Sequence, residues 1–232
     1  MTPISRTPNA RPNLTRDEIL RVSADLFRKK GYRGTSLQEV ADHFGVRRPA
    51  IYYWFKSKSD ILLEIHQRFM EMSTAQLNEI LEMDIGPHEK LVRIMSGRID
   101  MFSSNMADLA VYIENESELP ESALVQVREV KKSYLRTVEQ IYREGVEKGV
   151  FVDVDPHIAA SIILGMTLWM YKWYRPGGRH SVEDVTSAII NFACHGYLKP
   201  DNLPAGLSLT PASAEAGGEA EGIGHGSGRP QR

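Results

Sequence analysis

The chain has 232 residues, 42% hydrophobic and 25% charged, with a net charge of −2 and one cysteine, Cys194. That apolar content supports a folded core, or a small head and a larger body, and argues against a disordered chain. One cysteine excludes an internal disulfide and fits a reducing cytoplasm.

The near-neutral total hides an asymmetry. Residues 1–60 hold twelve Lys and Arg against six Asp and Glu, a balance of +6, which leaves −8 for residues 61–232. A basic head on an acidic body is the electrostatic footprint of a head that meets phosphates. The chain opens on MTPISRTPNARPN, polar, Pro-rich and basic, with no apolar signal segment; residues 1–12 are expected to be a disordered arm. Reach into a minor groove and plain solvation both stay open for it. Thr15 and Glu18 have capping-box spacing, Ile19, Val22, Leu26 and Phe27 make an apolar stripe, and Gly31 closes this first helix.

Residues 33–60, RGTSLQEVADHFGVRRPAIYYWFKSKSD, predict two more helices around a tight turn. Thr35 and Gln38 also have capping-box spacing, which starts a helix at Ser36. Leu37, Val40, Ala41 and Phe44 repeat at helical spacing, and Gly45 stands where a left-handed residue ends the helix. Pro49 suits the first turn of the next helix. Ile51 and Phe55, four apart, take its buried side and leave Arg47, Arg48, Ala50, Tyr52, Tyr53 and Trp54 around the outside. Such a face fits a major groove: arginine pairs with guanine edges, alanine touches thymine methyls, and tyrosine hydroxyls reach phosphates. Three helices with the third exposed form the homeodomain-like bundle. Helix–turn–helix corners also occur in proteins that never touch DNA.

The run LFRKKGYRGTSLQEVADHFGVRRPAIYYWFKSKSDIL resembles the DNA-binding domain of the TetR/AcrR family of one-component bacterial repressors. The likeness rests on Phe27 with Gly31-Tyr32, on Thr35-Ser36, on the turn from Ala41 to Val46, and on Ile51-Tyr52 with Phe55-Lys56-Ser57-Lys58. It implies an all-helical, dimeric protein bound to double-stranded operator DNA. It also implies that Thr35, Tyr52 and Lys58 meet the phosphate backbone, while Ser36, Arg48, Ala50 and Tyr53 face the bases. Trp54 departs from the polar residue usual there.

The remainder reads as helices, so the expected fold is all-α: a three-helix head at 13–60 and a larger ligand-binding and dimerisation body at 61–199, about nine helices in all. Ser57 caps a long helix continuous with the head, running through Leu62, Ile65, Phe69, Met72 and Leu77. Pro87 starts the next, with Leu91, Ile94, Met95, Ile99 and Phe102; a short one spans Met106 to Ile113; Pro120 opens a long one that stops near Gly149. The acidic run Glu114, Glu116, Glu118 and Glu121 reads as a solvated face or helix start rather than paired catalytic carboxylates.

Asp155-Pro156 begins the eighth helix. Residues 158–171, IAASIILGMTLWMY, carry no charge; they are too few to span a bilayer, which takes about 20, so a helix buried on nearly all sides is expected. Small residues including Ser161 and Gly165 admit a close neighbour. With Val185, Ala188, Ile189 and Phe192 of a ninth helix capped by Ser181, they predict self-association as a two-fold four-helix bundle, and the resembled family dimerises through its last two long helices.

Between these helices lies WMYKWYRPGGRH, residues 169–180. It fits a helix end, with basic residues against the dipole and glycines as caps. It equally fits the mouth of a cationic ligand pocket built from Trp169, Lys172, Trp173, Arg175 and Arg179. With GVEKGVF and DVDP, the WYRPGGR run resembles the branch of TetR-type regulators that answers to acyl-CoA thioesters, which implies such an effector. Residues 200–232 hold seven Gly and four Pro and are expected to be a disordered tail.

Catalysis has little support. The seven histidines form no HExxH or i, i+4 couple, and no Cys pair or nucleophile elbow is present. No metal and no cofactor is expected. The reading reached is a cytoplasmic, ligand-responsive transcriptional regulator, with a small-molecule-binding or catalytic helical protein as the rival.

Overall fold

The computed structural model describes residues 14–202; the expected N-terminal arm and the tail from 203 onward lie outside the described residues. The fold is all-helical, with ten helical segments: α1 Arg16–Lys30, α2 Leu37–Phe44, α3 Arg48–Tyr52, α4 Lys58–Glu82, α5 Pro87–Ser104, α6 Met106–Glu114, α7 Glu121–Glu147, α8 Pro156–Leu168, α9 Met170–Trp173 and α10 Val182–Tyr197. No strand occurs among the described residues. A lone antiparallel bridge, Phe151 with Leu198, ties the segment after α7 to the end of α10. The start of the expected tail is held there too, since Pro200–Asn202 forms a 3-10 turn and the Asn202 amide donates to Gly149 O at 3.3 Å.

Capping follows the sequence, with one shift. Thr15, Ser57 and Ser181 each accept a backbone N–H at their helix start. At α2 the cap is Ser36, paired with Glu39 in a full capping box, not Thr35 with Gln38. The reason is that Thr35 is buried and its hydroxyl donates backward to Gly31 O at 2.9 Å, so Ser36 is left to serve the helix. Gly45 has φ +63°, the left-handed value that closes α2.

Three clusters make the core. The head packs Ile19, Phe27, Val40, Ile51 and Phe55 and extends without a break to Ile61, Leu62 and Ile65 of α4 and to Val111, Leu119 and Val127 of the body. A second cluster joins Leu91, Ile94, Val138, Tyr142, Phe151 and Tyr197. Gly145 is required there, because a Cβ would sit 2.0 Å from the Phe151 ring. A third holds Phe69, Ile99, Phe102, Tyr112, Met170 and Val185. α4 thus reaches from the head's core into the body's.

The acidic run, read as a solvated face or helix start, has Glu114 and Glu121 exposed, Glu121 opening α7, and carries ion pairs of Glu114 with Lys172, Glu116 with Lys131, Glu118 with Arg33 and Glu121 with Arg128. One expectation changes: α8 is not buried on nearly all sides. α5, α7 and α10 cover one side, while Ile158, Ser161, Ile162, Gly165 and Trp169 stay exposed on the other.

Candidate DNA-binding surface and effector cavity

α3 is five residues long and is pinned by Ile51, which is fully buried, with Phe55 just beyond it. That leaves Arg47, Arg48, Tyr52 and Tyr53 in solvent, Tyr53 at 81% exposure, with Ala50 half-buried beside them. Ser36, also exposed, stands at the start of α2. The Arg48 guanidinium donates to the Tyr52 hydroxyl and lies over its ring, 4.9 Å from the centroid, so the two side chains form one unit. Trp54 is half-buried against the head's core and meets Tyr53 edge-on at 5.2 Å; it packs.

Thr35 and Lys58 are placed otherwise than a phosphate contact requires. Thr35 is 3% exposed. The Lys58 ammonium donates to three backbone carbonyls, Tyr32 O at 2.8 Å, Thr35 O at 3.0 Å and Arg33 O at 3.3 Å, and sits over the Tyr32 ring. It clasps the α1–α2 turn to the start of α4.

The body contains a cavity of about 480 Å³ walled by α4, α5, α6, α7 and α8. Its lining is mostly apolar, including Phe69, Phe102, Leu135, Leu164 and Leu168, with Ser161 and Gly165 on the α8 side. Phe69 stacks between Phe102 and Tyr112, and burial pushes the Tyr112 phenol well above its ordinary range. Arg98, Tyr134 and the Glu116–Lys131 ion pair supply polar groups, beside the hydroxyl residues Ser73, Thr74 and Ser161. Sequence reasoning missed Arg98 and Tyr134. A signal was present: Arg98 stands in the Ile94, Met95, Ile99, Phe102 stripe of α5, where helical spacing calls for an apolar residue.

The basic run 169–180 divides. Lys172 and Arg175 line a separate groove of about 510 Å³ with Arg28, Ala107 and Tyr171. Lys172 is bound to Glu114 at 2.7 Å, which raises its ammonium pKa, and Arg175 donates to Tyr174 O at 2.9 Å. Trp173 turns to a third depression, beside Ala188, Ile189 and Phe192. Trp169, 62% exposed, belongs to the outer face of α8, and Arg179 lies exposed in the loop. The five residues therefore do not converge on one pocket mouth. Among the candidate interface residues, Ser161, Gly165, Ala188 and Phe192 are exposed and Ile189 is half-buried. Val185 is a correction: it is 4% exposed and packs inside the protomer, because its side of α10 faces Ile99 and Phe102.

No cluster of metal-ligating side chains occurs among the described residues, and none of their helices is long and apolar enough to cross a membrane.

Comparison with known proteins meets this geometry at both ends of the chain. Residues 19–65 match the family described as bacterial regulatory proteins, tetR family, and residues 84–197 the tetracyclin repressor-like C-terminal domain. The HTH-type transcriptional repressor KstR2 of Mycolicibacterium smegmatis is 29% identical over 183 residues, 77% of this chain and 88% of that protein. Among solved structures, the TetR family regulator PfmR of Thermus thermophilus superposes with a TM-score of 0.72 at 32% identity, over 78% of this chain and 98% of that one. AibR, solved in complex with isovaleryl coenzyme A and operator DNA, gives a TM-score of 0.69 at 26% identity, over 76% of this chain and 96% of that one. An exposed short third helix on a basic head, a helical body with a cavity between its helices, and matches across both parts agree: the chain belongs to the TetR family of bacterial transcriptional regulators.

Proposed function

We propose that this regulator is a cytoplasmic repressor that binds palindromic double-stranded operator DNA as a homodimer and is released by a small-molecule effector, an acyl-CoA thioester. The observation that carries the DNA half is the α3 face: two arginines and two tyrosines in solvent on a segment whose other side is locked into the core. Ser36, Arg47, Arg48, Ala50, Tyr52 and Tyr53 are assigned to DNA, with Thr35 and Lys58 holding the turn that presents them. The dimer reading rests on the outer face of α8 and α10, where Ile158, Ile162 and Phe192 are each more than half exposed; surface of that kind is normally covered by a partner.

The effector reading rests on the cavity and its contact with α4. Phe69 lines the cavity, while Ile61 and Ile65, two turns and one turn earlier, lie in the head's core. A ligand that shifts Phe69 shifts the mount of the recognition helix, and so changes the spacing of two heads in a dimer. AibR's complex with isovaleryl coenzyme A and operator DNA supports the thioester class. The cavity would take the acyl part, and Lys172 or Arg175 in the groove formed with α6 and α9 would meet the phosphates.

The test is a gel-shift titration on DNA flanking the protein's own gene, at two salt concentrations, with and without a series of acyl-CoAs. Saturable binding that weakens with salt and is reversed by at least one thioester is expected. No sequence preference over random DNA removes the repressor reading. Binding that no thioester reverses removes the acyl-CoA class alone.

A further inference from the structure

Arg98 is the unusual residue of the cavity. It is 9% exposed as a residue, and its terminal nitrogens, which have no protein acceptor among the described residues, open on the cavity rather than being sealed in the core. Its Nε donates to Thr167 Oγ1 at 3.1 Å. No ion pair involves it among the described residues, and the nearest acidic member of the lining, Glu116, is taken by Lys131. Two aromatic rings flank the guanidinium carbon, Phe102 at 4.9 Å and Tyr134 at 5.4 Å. They shield it and partly stabilise the charge, but a ring face cannot accept the in-plane N–H groups that remain.

The neighbouring Tyr134 hydroxyl is also buried and has no hydrogen-bond partner. A largely buried cation and a buried hydroxyl, both with donors to spare, thus border the same mostly apolar space, whose one carboxylate, Glu116, is already paired with Lys131. Buried cations are ordinarily paired, because desolvation without a partner is costly. A guanidinium with a free edge has the geometry to take both oxygens of a carboxylate, and a phenol can add a third donor.

Resting on the reading of this cavity as the effector site, we propose that Arg98 and Tyr134 form an internal anchor for a carboxylate carried by an otherwise apolar ligand. The acidic oxygen lies inside the cavity, with the apolar body against Phe69, Leu135 and Leu164. This names a chemical class: an apolar carboxylic acid, taken either as the free acid or as the distal carboxylate of a mono-thioester of a dicarboxylic acid. A plain acyl chain would leave the anchor unfilled.

The experiment is a fluorescence titration of the full chain, read by its tryptophans, with two matched pairs of probes: decanoate against methyl decanoate, and decanedioyl-CoA against decanoyl-CoA. In at least one pair the wild type should prefer the member with the free carboxylate by about tenfold or more, the scale of a charge-assisted hydrogen bond. The pair that shows it identifies the source. Arg98→Met should abolish that preference while leaving the apolar member's affinity within about threefold, and Tyr134→Phe should reduce it.

Folding is read in parallel. An anchor held ready for a ligand predicts that Arg98→Met melts no lower than wild type without ligand, since an unpaired buried charge is removed. A purely structural Arg98, clamping α5 to Thr167, predicts a lower melting point and an unchanged acid preference. No acid preference in either pair, or one that survives Arg98→Met, overturns the anchor. Operator release is scored separately. Acid preference without release from DNA would sink the effector reading and leave the anchor standing, and release by thioesters without acid preference would do the reverse.

Discussion

Arg48 and Tyr53 point outward because Ile51 and Phe55 occupy the buried side of a very short helix. Arg48→Ala and Tyr53→Ala are each expected to weaken operator binding by about 1–3 kcal/mol and to relax base preference. Gel shifts on a set of operator variants check this; two variants that bind like wild type would remove α3 from the interface. Lys58 is a different case. Its position in the sequence suits a phosphate contact, but its ammonium already serves three carbonyls of the α1–α2 turn. Lys58→Met should therefore destabilise the fold by about 1–3 kcal/mol, the scale of hydrogen bonds to a charged donor. The measurement is a denaturant midpoint; an unchanged midpoint with a reduced salt slope of DNA binding would return Lys58 to the phosphates. This difference was not legible from spacing. The phosphate role of Lys58 is implied only by its place in the resembled motif, whereas the competing acceptors come from Tyr32 and Arg33, more than twenty positions away. Arg98 was legible as a charge on an apolar stripe. That the stripe faces a cavity rather than a filled core was not, since it depends on how five helices leave space between them.

Helix starts, by contrast, stood almost entirely in the sequence, since caps are local: Thr15, Ser57, Pro87, Asp155-Pro156 and Ser181 act where their neighbours require them. The slip at Thr35 came from a tertiary demand, its burial beside Gly31. α8 shows the same limit, because its uniform apolarity predicts cover on nearly all sides, whereas the protomer covers only one. α4 carries one titratable residue with a clear consequence. His66 is fully buried, its Nδ1 2.9 Å from Leu62 O. Burial holds its imidazole below the ordinary value, against a smaller opposing effect of the Leu62 carbonyl. The unfolded chain, with an ordinary histidine near 6.5, takes up that proton first as pH falls. The stability linked to His66 is thus complete above about pH 6.5 and is lost as pH drops from there toward its lower folded value. Melting temperatures between pH 7.5 and 5 should fall more steeply for wild type than for His66→Gln; parallel curves would show that His66 does not titrate in this way.

At the scale of the molecule, the exposed band on α8 and α10 is the face proposed to carry the dimer. The wild type is expected to be a dimer at micromolar concentration by light scattering, and Ile162→Asp or Phe192→Asp to give monomers with little change in melting of the protomer, since both side chains are more than half exposed. A monodisperse wild-type monomer would contradict this. The proposed dimer face sits close to the cavity, with Ser161 and Gly165 of α8 both exposed and lining it. α4, finally, has its first turns in the core beneath the recognition helix and its middle in the cavity wall. Ile61 and Phe69 are eight residues apart, about 12 Å along the axis. On the proposed function this shared rod is what couples the two binding events, and any such coupling is reciprocal by the thermodynamic cycle. Whatever factor the effector takes from operator affinity, the operator must take from effector affinity. Molecules seated on DNA then respond only at a higher effector concentration than free molecules do, by that same factor, and the regulator's threshold in the cell is set by its occupied sites rather than by the cavity alone.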